Sequence, residues 1–305
     1  MKNQHDVDRV RSDVEHNFPD IRIDSIRFLS EGIGSKAFVV NDDMIFRFPK
    51  DAATIAEIER EIAVLPHLRE YVSLGIPDFQ YIGRQRDGGV VFVGYTMIDG
   101  VGLENDVMSG LDPDLQDVLH TAIARFIAEV HSFPVETARR LGVETVDFHR
   151  RYNDRFNEFQ SRAARLVSPD ARKYVNAMYE SYLSDDRNFA CSPVFLHGDL
   201  GANHIIYSPD TRSISGVIDF GGMCIGDPDR DFTYLYVDYW GPDFARQFPK
   251  YYDDRDMDLL VRKLEFFNRC NPVDHLLTGL QREDDGLVRY ASKRLEAEAG
   301  SQAHR

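Results

Sequence analysis

Residues 192–222 read SPVFLHGDLGANHIIYSPDTRSISGVIDFGG, and this stretch decides the architecture. The apolar run Val194-Phe195-Leu196 reads as a buried strand that delivers a polar turn, His197-Gly198-Asp199-Leu200. Two further short strands, His204 to Tyr207 and Ile214 to Ile218, are joined by the turn SPDTRS. One hairpin thus carries Asp199 just ahead of its first strand and Asp219 at the end of its second. A lone Asp after Gly is ordinary turn chemistry. A merely structural hairpin, however, has no reason to carry both HGDLGANH and IDFGG.

Upstream, the chain reads as sheet with one helix inserted. Ile21, Ile23, Ile26 and Phe28, then Phe38 to Val40, then Met44 to Phe48 form strand-type runs broken by EGIGS and NDD. After Asp51, the residues Ile55, Ile58, Ile62 and Leu65 recur at helical spacing. Asp78 to Gly83 and Val90 to Ile98 return to strand character around QRDGG, and the unit closes near Asp99-Gly100. From Pro113 the pattern is helical: Pro113 to His131, Tyr152 to Leu166, Ala171 to Leu183 and more beyond Pro242. The expected fold class is α+β and bilobal, with a β-rich lobe over residues 1–98, a helical lobe over 99–305 and a ligand cleft between them.

Composition excludes several classes of function. The chain has 305 residues and a formal net charge of -15, so nucleic acid and anionic membrane are disfavoured partners and a cationic small molecule is favoured. Cys191, Cys224 and Cys270 lie far apart without metal-type spacing and read as free thiols of a reducing compartment. The charged start MKNQHDVDRVRSDVEH has no apolar signal-peptide core, and the run Val90 to Ile98 is too short to span a bilayer. A cytoplasmic monomer is expected.

Two carboxylates on one hairpin suit phosphoryl transfer, which asks a protein for a positioned hydroxyl and fixed countercharge rather than covalent chemistry. Asp199, on a loop at the cleft floor, can accept a hydroxyl proton, and an oxygen of Asp219 can bind a Mg²⁺ that bridges phosphates.

HGDLGANHIIY followed by GVIDFGGMCIGDPDRDF closely resembles the aminoglycoside phosphotransferase family, nearest the branch that modifies the 2″-hydroxyl. FRFPK, the EREIAVLPHL helix and GYTMIDG extend the resemblance over most of the chain, weakening beyond Trp240. It implies a protein-kinase-like fold and transfer of the γ-phosphate of ATP or GTP, with Mg²⁺, to a hydroxyl of an aminoglycoside antibiotic, hence a resistance enzyme. In that reading Asp199 is the catalytic base and Asp219 the main metal ligand. His204 stands where kinases carry a metal-binding Asn, with Asn203 as the alternative ligand and His197 as a brace of the loop.

In the N-terminal lobe, Gly32, Gly34 and Ser35 of the SEGIGS turn let backbone N–H groups approach phosphates. The helix carboxylate of the kinase pattern is Glu61. Its strand partner is Arg47 rather than Lys, with Lys50, beyond Pro49, as a substitute. Thr96 and Ile98 would offer backbone groups to the nucleobase. On the acceptor side, Asp238, Tyr239, Trp240, Asp243 and Asp274 are candidates to meet a polycation with carboxylates and aromatic rings, whereas the run around Asp253, Asp254 and Asp256 reads as a solvated helix face. A related kinase acting on a macrolide, homoserine or choline-like acceptor, and a nucleotide-binding pseudokinase, are the competing readings.

Overall fold

Five strands in the order β1-β2-β3-β5-β4 form an antiparallel sheet: β1 (Ile26–Glu31), β2 (Ser35–Val40), β3 (Met44–Pro49), β4 (Tyr81–Arg84) and β5 (Val91–Thr96). They belong to a computed structural model that describes residues 2–32, 34–240 and 256–302. The fold is α+β, as the patterning implies. The chain divides into two compact units, Met1–Val143 with His197–Cys224, and Glu144–Leu196 with Ile225–Arg305. Among the described residues no helix is long and apolar enough to cross a membrane.

The central strand β3 is buried on both faces, and its alternation sorts side chains cleanly. Phe46 and Phe48 join Phe38, Phe92, Val10 and Val14 in one core, with Phe48 stacked on Phe92 at 4.6 Å. Ile45 and Arg47 face the other way. On another part of that sheet Val91 and Val93 meet Ile58 of helix α2 (Ala52–Leu68). Asp51 caps α2 by accepting the Thr54 N–H at 2.9 Å, which fixes where the helix starts.

The sequence reading did not anticipate helix α1 (Lys2–Asn17), because Val7, Val10 and Val14 are its few apolar residues among many charges. Burying Val10 and Val14 is worth about 1.5–3 kcal/mol each. The last residue of α1 also completes the sheet edge. The Asn17 amide accepts the Arg84 N–H at 2.9 Å and donates to the Arg84 carbonyl at 2.9 Å, as a neighbouring strand would.

Val194–Leu196 forms strand β7, and the hairpin of the opening stretch forms as β8 (Ile205–Ser208) and β9 (Ser213–Val217), one residue away from the expected bounds. A third strand, β6 (Val101–Gly102), pairs with β8, so the segment after β5 is stitched directly to the hairpin. Gly100 permits this: its φ is +132°, and a Cβ there would lie 2.3 Å from the Tyr207 carbonyl oxygen.

In the second unit, the stretch expected as one helix over Tyr152 to Leu166 is a helix Phe148–Glu158 that loosens into a π-turn, Phe159–Ala163, and a 3₁₀ turn, Ala164–Leu166. The helices Pro169–Leu183, Met257–Arg282 and Asp285–Gln302 follow. Lys263 is buried between Asp227 and Asp229, 2.6 Å from each, and so offsets part of the negative charge of the acidic segment after the hairpin.

Candidate active site

Asp199 and Asp219 are held in place by backbone geometry on both sides. Gly198 has φ +82°, and a Cβ on it would lie 2.0 Å from the Gly222 carbonyl oxygen, so the two loops touch backbone to backbone. Asp219 itself is left-handed, φ +67°, a conformation that costs a residue with a side chain roughly 1–3 kcal/mol. His197 links these loops. It is fully buried; its Nδ1 accepts the Asp199 N–H at 3.2 Å, and its Nε2 lies 3.2 Å from the Ile218 carbonyl. A carbonyl only accepts, so the ring proton sits on Nε2. The ring also lies against Phe220, centroids 4.3 Å apart.

His204, at the end of the short turn Ala202–His204, closes the arrangement. Its Nδ1 lies 2.7 Å from the Asp199 carbonyl, so Nδ1 is the donor and a neutral ring presents a lone pair at Nε2. That Nε2 faces Asp219 Oδ2 at 3.6 Å. One ligand atom from each of Asp199, His204 and Asp219 lies within 4.8 Å of the others. Two hard carboxylate oxygens and a neutral imidazole nitrogen form a donor set that fits a divalent cation. Asn203, the alternative ligand, has an exposed side chain.

Arg47 faces the same place from the sheet. It donates from Nη1 to Glu61 Oε2 at 2.8 Å and from Nη2 to Asp219 Oδ1 at 3.2 Å. Burial opposes its charge, but Glu61 and Asp219 outweigh burial and raise its pKa further. Glu61 is fully buried, and that burial pushes its pKa up to about 7 even against Arg47. Burial also disfavours ionised Asp219, yet Arg47 beside it holds the carboxyl below the usual carboxylate range. Sequence reasoning missed Glu57. It lies one turn before Glu61 on α2, burial raises its pKa, and its Oε2 comes within 3.4 Å of where a Gly221 Cβ would sit, beside Asp219 Oδ1 and Glu61 Oε1 at 3.6 Å each. The i, i+4 spacing with Glu61 was the available signal.

The remaining candidates fall in three places. Gly32 and Gly34 flank the β1–β2 turn, and Ser35 opens β2; Ile33 between them lies outside the described residues. Gly34 is needed where it is, since a Cβ would meet Thr54 Oγ1 at 2.4 Å. Lys50 lies just past the end of β3 and is tied to this turn, donating to Glu31 at 3.0 Å and to the Gly32 carbonyl at 2.8 Å, while Glu61 is paired with Arg47. Thr96 ends β5; its N–H donates to the Gln80 side chain at 3.0 Å, and Ile98 follows half-buried.

On the acceptor side, Asp238 is half-buried in a π-turn, Tyr236–Trp240, of the second unit. Asp243, Asp253, Asp254 and the side chains of Tyr239 and Trp240 lie outside the described residues. Asp274 is already opposite Arg155 Nε at 3.2 Å.

A model of the phosphotransferase enzyme family matches residues 25–262. The GDP complex of aminoglycoside 2'-phosphotransferase-IIIa is similar with a TM-score of 0.91 at 32% identity, covering 99% of this chain and 100% of that one. The GDP and kanamycin complex of APH(2″)-IIIa gives 0.90 at 34%, covering 96% and 98%. The gentamicin complex of APH(2″)-IIa gives 0.78 at 25%, covering 92% and 94%. Among curated proteins, acyl-CoA dehydrogenase family member 10 of Mus musculus is 22% identical over 214 residues, 66% of this chain. The match takes in 18% of that protein, so the chain spans less than a fifth of its length.

Proposed function

The chain belongs to the phosphotransferase enzyme family, with the protein-kinase-like fold of its aminoglycoside-modifying members, and on that premise we propose that it phosphorylates a hydroxyl of an aminoglycoside with GTP or ATP. The observation that carries the reading is the convergence of Asp199, His204 and Asp219 within 4.8 Å at the ends of one hairpin. Asp199, its side chain 44% exposed, accepts the proton of the attacking hydroxyl and orients its oxygen. Asp219 and His204 would hold Mg²⁺, which when bound supplies countercharge for the donor phosphates. Arg47 clamps phosphate oxygens while Glu61 holds it in place.

Residues 1–98 are the nucleotide-binding lobe in this reading, with Gly32, Gly34 and Ser35 near the phosphates and the Thr96 to Ile98 backbone at the base. Neighbours above 30% identity were solved with GDP, which favours GTP among the donors. The acceptor class is supported by the kanamycin and gentamicin complexes of similar proteins and by the net charge of -15, which draws in polycations. Asp238, Tyr239, Trp240, Asp243 and Asp274 are proposed to face the acceptor. Nucleoside triphosphates are an intracellular resource, so the enzyme works in the cytoplasm.

The test is turnover of GTP or ATP by purified protein with Mg²⁺ and kanamycin, gentamicin, erythromycin or homoserine. Stimulation by kanamycin or gentamicin is expected. Stimulation by erythromycin or homoserine alone, or by no acceptor, would overturn the proposal.

A further inference from the structure

The kinase pattern asks for Lys where this chain has Arg47, and the two contacts of Arg47 differ in a way that gives the longer group a purpose. At the Glu61 end the bond is short, 2.8 Å, and Glu61 is fully buried. At the Asp219 end it is 3.2 Å, and the Asp219 side chain is 43% exposed. The guanidinium fork separates the two bonds onto different nitrogens, which a single ammonium nitrogen does not do. Nη1 is therefore anchored in a dry site while Nη2 rests on a carboxylate that solvent and ligands reach.

Asp219 is shared in a matching way. Oδ1 meets Arg47 Nη2, while Oδ2 faces His204 Nε2 at 3.6 Å. A cation arriving at Asp219 therefore meets a positive charge already seated on it.

Resting on the reading of Asp219 as a metal ligand, we infer that Arg47 is a resident counter-cation for Asp219, which a divalent cation must displace. Nη1 stays on Glu61 and acts as a pivot, and Nη2 leaves Asp219 for a donor phosphate oxygen. Metal and nucleotide then assist each other. Metal moves Arg47 toward phosphate, and phosphate takes Arg47 off the metal ligand, a reciprocal coupling. Because Arg47 is 11% exposed, salt screens its opposition to the metal only weakly.

The experiment is titration of nucleotide-free protein with Mn²⁺, followed by electron paramagnetic resonance and independent of turnover. Arg47→Met is expected to bind Mn²⁺ about tenfold more tightly than the unaltered protein. Should Arg47→Met fold poorly because Glu61 is left unpaired, the double variant Arg47→Met with Glu61→Gln is compared with Glu61→Gln alone, and the same tenfold gain is expected. GTP should tighten Mn²⁺ binding more in the unaltered protein than in either Arg47 variant. Equal or weaker Mn²⁺ binding without Arg47 overturns the inference. Asp219→Asn separates the two ideas. If it binds Mn²⁺ as the unaltered protein does, the metal reading of Asp219 falls with everything built on it; if it loses Mn²⁺ while the Arg47 variants gain nothing, only the counter-cation role falls.

Discussion

Gly198 and Gly222 meet so closely that one added methyl on Gly198 would come within 2.0 Å of the Gly222 carbonyl oxygen. A Cβ on Gly222 would in turn lie 3.2 Å from the Asp199 Cβ. The loop bearing one carboxylate is thus gauged against the loop bearing the other. Gly198→Ala must part the two loops, whereas Gly88→Ala, at φ +87° with nothing within 4 Å, meets only backbone strain. Gly88→Ala is expected to cost about 1–2 kcal/mol, a melting shift of a few degrees. Gly198→Ala should cost several kcal/mol more and lower kcat at least tenfold. Thermal melts and turnover check this, and matching behaviour of the two variants would show that the loop contact does not position the site.

Asp199→Asn keeps the shape of the side chain and removes the base. The chemical rate is expected to fall by about 10²–10⁴ with GTP affinity changed less than about threefold. Asp219→Ala should abolish metal-dependent turnover instead. A near-normal rate in Asp199→Asn would remove Asp199 as the base.

Both hairpin strands were legible in the sequence to within one residue because their apolar alternation is local. The polar groups at their ends were legible for the same reason. The two-way pairing of Arg47 was not, since Asp219 lies 172 residues away and only tertiary structure sets that distance. Helix α1 escaped because its hold on the sheet runs through polar side chains, such as Asn17 on Arg84, that carry no periodic signal. Asp274 reads as an acceptor ligand by composition, whereas its ion pair with Arg155 becomes visible only once the helices pack. Strand β6, two residues long, is too short for any pattern to announce it.

Burial raises the Glu61 pKa from 4.5 to about 7, which ties stability to pH with a definite sign. Such a group contributes stability that is fully present below pH 4.5 and is lost as pH rises toward about 7. Glu61→Gln has no titrating proton there. The melting temperature of Glu61→Gln relative to the unaltered protein should therefore improve steadily between pH 4.5 and 7.5, measured without metal. A difference that stays constant over this range would mean that Glu61 remains ionised throughout, held by Arg47.

The net charge of -15 and the buried position of Arg47 lead to opposite salt sensitivities for the two substrates. An aminoglycoside is drawn by the field of many exposed carboxylates, and that field weakens once the Debye length falls from about 10 Å at 0.1 M salt toward 3 Å at 1 M. The nucleotide is held partly by Arg47, whose side chain is 11% exposed and little screened. Raising KCl from 0.05 to 0.5 M is expected to lower kcat/KM for kanamycin by about tenfold, mostly through KM. The KM for GTP should move by less than about threefold. If both constants shift together, the acidic field plays no particular part in acceptor capture, and recognition of the polycation must rest on short-range contacts alone.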